Sequence, residues 1–303
     1  MNDKLSISII GSGNVGRTIA KELIDLAIPM HIDIQDPAQH IDAIKEDLRH
    51  ATSYSKTCTI SWNKNKLKEA HYIFIAAAQQ ATTIGNRLDK AQGHIEMTYE
   101  IFKDYKPNTD ARIIVISNPV DVITYHTWKA SGLAQDRIIG TGTFLETLRF
   151  DYYLADLFEV SAQQAKGILL GEHGNSAVIA YSQCQIEGKE LDRIKVKEAA
   201  ELAINAPYKI RKAGEYTKYA ISKCAVGIFK GLHLKEDMTI PAGLILNEKN
   251  CDLLDCAPIC LSTLVRITNG SFEQSDLSQL PEDEINELKK GAQILQEHTL
   301  HTK

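Results

Sequence analysis

The sequence predicts an α/β protein: a doubly wound parallel sheet in the first half, followed by a smaller α+β half. Three observations predict it. Strand-like and helix-like stretches alternate from residue 5 to about residue 140. A glycine-rich turn stands between the first strand and the first helix. After Gly142 the alternation gives way to a long helix, a histidine loop and short apolar runs. The expected division is therefore a nucleotide-binding half over 1–141 and a catalytic half over 142–303.

The elements justify that reading in order. Residues 5–10 alternate and then run apolar, as a strand does, and end at Gly11. A helix follows, with Ile19, Ala20, Leu23 and Ile24 on one face. A second strand over 30–35 ends at Asp36. Then come a helix over 42–50, a strand over 72–78, a polar loop over 79–86 and a helix over 87–105 that stops before Pro107. A strand over 112–117 ends in Asn118-Pro119, a helix covers 122–130, and a strand over 137–139 ends at Gly140. Alternation of this kind implies a parallel sheet with helices on both faces, which binds ligands at the carboxyl ends of its strands. In the second half a helix is expected over 143–158, then antiparallel strands over 177–184 and after Gly188. Helices are expected over 195–211 and 217–232, a strand-rich segment over 239–268, and an amphipathic helix over 281–299.

The chain has 303 residues, 44% hydrophobic and 24% charged, which is the balance of a soluble globular protein. Its net charge is −5 with no long basic block, so nucleic acid is not an expected partner. No apolar run approaches the roughly 18–20 residues of a membrane helix. The opening MNDKLSISIIGSG lacks the pattern of a signal peptide, and the cytoplasm is the default expectation. The six cysteines (Cys58, Cys184, Cys224, Cys251, Cys256 and Cys260) include no C-x-x-C pair. No metal site is expected from them.

Two stretches carry chemistry. The first is G-S-G-N-V-G, where Gly11 would make the tight turn, Gly13 would admit a pyrophosphate, and Gly16 would let helix and strand pack. With Asn14 and Val15 it opens a helix whose free N–H groups and dipole suit phosphates. Asp36, about 20 residues on, would bond the ribose hydroxyls of NAD and repel the extra phosphate of NADP. Asp33, inside the strand, is the competing acid. The second stretch is L-G-E-H-G-N-S, where His173 sits among small residues. Histidine can exchange a proton near neutral pH, so it can serve a developing alkoxide. Glu146 could hold its other ring nitrogen. Arg149, three residues along the same helix face, could grip a carboxylate with paired hydrogen bonds. Arg87, at the end of a polar loop, could swing in to polarise a ketone.

The segments GSGNVG, EDLRHA, VISNPVDVITYHTW, GTGTFLETLRF and LGEHGNS, in this order, resemble the lactate/malate dehydrogenase family over essentially the whole length. The Glu in G-E-H-G and the ISNPVDVIT segment bring the chain nearer to L-lactate and L-2-hydroxyisocaproate dehydrogenases than to malate dehydrogenases. The resemblance implies a Rossmann-type cofactor domain, NAD as cofactor, and a homo-oligomer, tetrameric or dimeric. It implies His173 as acid/base, Arg149 as carboxylate clamp and Arg87 as mobile-loop arginine. It places Asn118 beside substrate and nicotinamide, Thr217 in the pocket wall, and a cis bond at Asn118-Pro119.

Three positions depart from the family pattern. Glu146 stands where the family has Asp, so helix or ring must shift to keep the contact. Ala81 falls where lactate enzymes have Gln and malate enzymes Arg, leaving room for a larger apolar side chain and no partner for a second carboxylate. If the register shifts by one, Gln80 takes that place and lactate becomes the favoured product. Asp151 and Gln183 stand where sugar-bisphosphate-activated lactate enzymes carry a basic residue and a histidine, so no such activation is expected. The expected activity is NAD-dependent L-2-hydroxyacid dehydrogenation, on a 2-oxo acid with a small or apolar side chain, hydroxyisocaproate-type. Lactate dehydrogenase proper is the near alternative and malate dehydrogenase the farther one. The rival from another class is an NAD(H)-binding relic without turnover.

Overall fold

The computed structural model describes residues 4–36, 41–78, 91–103 and 106–300. In the first half, β1 (Leu5–Ile10), α1 (Asn14–Asp25), β2 (Met30–Gln35), α2 (Ile41–Ser55), β3 (Cys58–Ser61) and β4 (Tyr72–Ile75) are followed by α3 (Ala91–Lys103), β5 (Arg112–Val115), α4 (Val120–Ser131) and β6 (Ile138–Gly140). The second half contains α5 (Phe144–Phe158), β7 (Ala165–Lys166), β8 (Leu169–Gly171), β9 (Ala177–Ile179), β10 (Gln185–Ile186), α6 (Arg193–Lys212) and α7 (Tyr219–His233). It closes with β11 (Met238–Ile245), α8 (Glu248–Leu254), β12 (Cys260–Thr268), β13 (Ser271–Gln274) and α9 (Glu282–Leu300).

The first six strands lie side by side in the order β3-β2-β1-β4-β5-β6, all parallel. The chain leaves β1 in one direction to build β2 and β3 and returns to build β4 on its other side. That reversal opens a crevice beyond the carboxyl ends of β1 and β4. Both faces are covered, which explains why the strands are so apolar. Ile7, Ile9, Phe74 and Ile114 pack toward Ile19 and Leu23 of α1 and Val226 and Phe229 of α7. Their neighbours Ile10, Ile73, Ile75, Ile113 and Val115 pack toward Phe102 of α3, Ile123 of α4 and Leu288 and Leu295 of α9. Each such fully buried side chain stabilises the fold by about 1.5–3 kcal/mol.

The sheet does not stop at β6. β11 pairs with it antiparallel, Gly243 opposite Gly140, and β12, β8 and β9 extend the sheet antiparallel beyond β11. A third apolar cluster lies under α5 and α6, built on Phe150, Leu154, Val196 and Ala199. The loop carrying His173 therefore hangs between two strands of the continuous sheet, against α5.

Several expected elements differ in detail. The strand expected over 177–184 is broken: β9 ends at Ile179, a 3-10 turn covers Tyr181–Gln183, and β10 pairs instead with β7 in a separate two-stranded sheet. No strand follows Gly188, because residues there lead into α6, whose N-cap Asp192 accepts from the N–H groups of Ile194 and Lys195. The expected strand-rich segment over 239–268 contains the short helix α8 between β11 and β12. The strand expected from residue 137 begins at Ile138, after a 3-10 turn, and the short β3 carries too few residues to show its period in sequence. Among the described residues, no helix is long and apolar enough to cross a membrane. Among them too, no group of three or more His, Cys, Asp or Glu side chains could hold a metal ion, and all six cysteines are free thiols.

Candidate active site

The nucleotide turn is built from backbone. Gly11 has φ +99°, a conformation that strains any L side chain, and a Cβ there would lie 2.6 Å from the main chain of Ala77 at the end of β4. A Cβ on Gly16 would lie 1.8 Å from the Gly11 carbonyl oxygen, so only glycine lets α1 start this close to β1. Gly13, by contrast, faces open space on the outside of the turn. It caps α1 in extended geometry with no side chain across the helix start, which leaves room for a phosphate at the first-turn N–H groups of Asn14, Val15 and Gly16. This cradle fits a dinucleotide.

The two candidate acids on β2 are now distinguishable. Asp33 is fully buried, and one of its oxygens accepts from the Ser61 hydroxyl (2.6 Å) and the Asn63 N–H (2.7 Å). It ties β2 to the end of β3. Asp36 lies just past the carboxyl end of β2, where Oδ2 accepts from the Ser12 N–H (2.7 Å) and hydroxyl (2.8 Å). That pair fixes the carboxylate beside the glycine turn, the position a ribose-binding acid requires.

The second group of residues converges from four segments. α5 begins just after Gly142 and carries Glu146 and Arg149 on one face. The loop after β8 brings His173 over that face, and His173 Nδ1 lies 2.9 Å from Glu146 Oε2. An ionised carboxylate only accepts, so Nδ1 carries the hydrogen and Nε2 is the ring atom that could exchange a proton. The other carboxylate oxygen, Oε1, lies 3.6 Å from Arg149 Nη1, and Arg149 Nη2 donates to the Thr217 hydroxyl at 3.3 Å, just before α7. The side chains of His173 and Glu146 are only 9% and 6% exposed, so their charges are weakly screened. Burial alone would raise the Glu146 carboxyl, but His173, and then Arg149, outweigh it and hold it below its ordinary value. The longer Glu side chain thus reaches both the ring and the guanidinium.

Asn118 is exposed beyond the end of β5, and the Asn118-Pro119 bond is cis. Ser117 beside it donates to the Ala77 carbonyl (2.5 Å), locking the ends of β4 and β5 together at the crevice. Arg87, Ala81 and its neighbour Gln80 lie outside the described residues. Asp151 is turned inward: it accepts from the Gly167 N–H at 2.6 Å, and burial pushes it up to about 6 against that bond.

Two residues acquire jobs that sequence reasoning left unassigned. Glu172 folds back over its own loop, where Oε2 accepts from the Ser176 hydroxyl (2.5 Å) and N–H (3.3 Å). A Cβ on Gly174 would meet that carboxylate at 2.3 Å, so a larger residue there would displace the Glu172 side chain. Asp121, in the first turn of α4, accepts the main-chain N–H of His173 at 2.7 Å. Its only trace in sequence is an acid placed where the dipole of a helix start favours one.

Residues 5–140 match the family described as lactate/malate dehydrogenase, NAD binding domain. The chain is 29% identical to an L-lactate dehydrogenase of Clostridium perfringens, the match covering 96% of this chain and 95% of that one. It is 29% identical to the L-lactate dehydrogenase B chain of Xenopus laevis, over 95% and 90% of the two. A crystal structure of a minor L-lactate dehydrogenase from Enterococcus mundtii superposes with a TM-score of 0.87 at 25% identity, covering 99% of each chain. A malate dehydrogenase from Plasmodium falciparum shares the fold, with a TM-score of 0.87 at 20% identity over 98% of each chain. With its cradle, its pairing of histidine and carboxylate, and these likenesses along nearly its whole length, the chain resembles the lactate/malate dehydrogenases, whose NAD-binding domain it matches over residues 5–140, and is an NAD-dependent dehydrogenase.

Proposed function

We propose that the protein is an L-2-hydroxyacid dehydrogenase that reduces a 2-oxo acid with a small or apolar side chain, of the hydroxyisocaproate type. The observation that carries this reading is the line of contacts Thr217–Arg149–Glu146–His173, anchored on buried Glu146, which sets a carboxylate-binding cation beside a proton donor. In this reading residues 1–141 hold the cofactor and 142–303 the substrate. Arg149, steadied by Thr217 and Glu146, grips the carboxylate of the 2-oxo acid through its guanidinium. NAD, when bound in reduced form, supplies the hydride that goes to the carbonyl carbon. His173 gives its Nε2 proton to the carbonyl oxygen as negative charge develops there, and takes it back in the reverse direction. Glu146 fixes the ring through Nδ1 and stays anionic to balance the imidazolium. Asn118 adds a polar contact at the end of β5. Arg87 and Ala81, which follow β4 in sequence and lie outside the described residues, serve the substrate in this reading, the first polarising the ketone and the second making room for an apolar side chain. The protein works as a homo-oligomer, dimer or tetramer, in this reading; exposed Tyr54, Tyr152, Tyr216 and Tyr219 supply the kind of side chain that subunit contacts favour.

Lactate dehydrogenase proper is the second reading, favoured by the names of the relatives. Loss of NADH absorbance against pyruvate, 4-methyl-2-oxopentanoate, phenylpyruvate and oxaloacetate separates the two. The highest kcat/KM is expected on 4-methyl-2-oxopentanoate or phenylpyruvate. A clear preference for pyruvate would replace the hydroxyisocaproate assignment with lactate. NADH binding with no turnover of any of the four would reduce the protein to a cofactor-binding relic.

A further inference from the structure

Among the described residues at this site, Asp121 is the buried acid that the reaction does not use. It is 3% exposed, and its two oxygens have different fates. Oδ2 accepts the His173 N–H at 2.7 Å, across 52 residues of chain. Oδ1 is buried and has no hydrogen-bond partner among the described residues. It looks toward bare Gly243 on β11, where a Cβ would lie 3.4 Å from Oδ1 and 3.0 Å from the Cys260 sulfur. An anion left half-satisfied in such surroundings is costly, because the missing partner forfeits solvation that water would supply. A fold needing only an acceptor for one N–H could use an uncharged amide here.

We infer that Asp121 is a positioning residue for the proton transfer: it holds the main chain of His173 at a fixed height and sets a second ionisable carboxyl beside the acid–base ring. This rests on the reading of His173 as the proton donor. The groups facing Asp121 are His173 and Glu172 from the loop after β8, Glu146 from α5 and Cys260 from β12. Burial pushes the Asp121 carboxyl up to about 7, against the opposing pull of the His173 charge and N–H, and the anions of Glu172 and Glu146 add to the rise. A carboxyl raised this far can exist in either protonation state near neutral pH. When ionised, Asp121 joins Glu146 in favouring the protonated ring; as an amide it could not.

The test uses the full-length protein with NADH and the preferred 2-oxo acid. Asp121→Ala is expected to lower kcat by about tenfold or more, the scale of one lost hydrogen bond to a charged acceptor, while NADH affinity by fluorescence and KM change little. Asp121→Asn keeps an acceptor for the His173 N–H and is expected to restore kcat to within about threefold of the parent. Its kcat/KM should fall off with rising pH about half a unit earlier, because the second anion is gone. Parent-like rates in both variants with an unmoved pH profile would overturn the inference. Equal loss in both would also overturn it, since the retained acceptor would then have restored nothing. A His173→Gln control separates the two levels: if it still turns over, the reading of His173 fails first. If it is inactive while the Asp121 variants behave as the parent, only the positioning role fails.

Discussion

The nucleotide turn and the histidine cluster solve opposite problems. The turn at Gly11–Gly16 is a site made largely of main chain, in which the N–H groups face the ligand and a side chain at Gly11 or Gly16 would be an obstruction. The cluster of Glu146, Arg149 and His173 is made of side-chain charge, buried so that each group is held in its state by the next. The first depends on the absence of atoms within six consecutive residues. The second depends on the meeting of atoms from α5, the loop after β8, the start of α4 and the residues before α7. Main-chain sites therefore fail by steric intrusion and side-chain sites fail by loss of charge or reach.

The largest effect should come from the charge side of that contrast. His173→Gln is expected to lower kcat by about a thousandfold, within the usual range for removing a general acid. NADH binding, measured by fluorescence, should stay near the parent value because the glycine turn is untouched. If NADH binding fell in parallel, the two regions would not be separable in the way described. Next comes the steric side. Gly16→Ala places a methyl group 1.8 Å from the Gly11 carbonyl oxygen, and main-chain movement of this kind costs about 1–3 kcal/mol. The expected result is a lower Tm and NADH affinity weakened by about tenfold, with kcat at saturating NADH nearly retained. An unchanged affinity would show that the turn has slack that these distances deny. The smallest effect sharpens the charge side. Glu146→Asp shortens the carboxylate by one methylene, so it can no longer reach both ring and guanidinium without movement of α5. A fall of about tenfold in kcat is expected. Unchanged turnover would mean that the ring contact alone matters and that the contact with Arg149 is incidental.

The sequence by itself determined whatever is local and periodic. The glycine turn between β1 and α1 and the pairing of Glu146 with Arg149 three residues apart depend on neighbours in the chain and lie where expected, while the alternation through Gly140 differs in its bounds: α2 runs on to Ser55, β4 ends at Ile75, β3 has no counterpart among the expected strands, and residues 79–90 lie outside the described residues. The cis bond before Pro119 followed from a resemblance rather than from any period. Tertiary structure alone decided the rest, because burial and cross-chain partners cannot be read from spacing. Position along the strand already favours Asp36 over Asp33 in sequence, but only the fold shows that Asp33 is spent inside the sheet on Ser61 and Asn63 while Asp36 stands at the crevice with Ser12. Cys184 ends a run that seemed a single strand until a 3-10 turn divided it. The antiparallel seam between β6 and β11 joins residues about a hundred positions apart, a pairing without any local signature. Asp121 shows the limit most sharply. It is one acid at a helix start in sequence, and it holds His173 only because folding brings together residues 52 apart and removes the water that would otherwise make the bond unimportant.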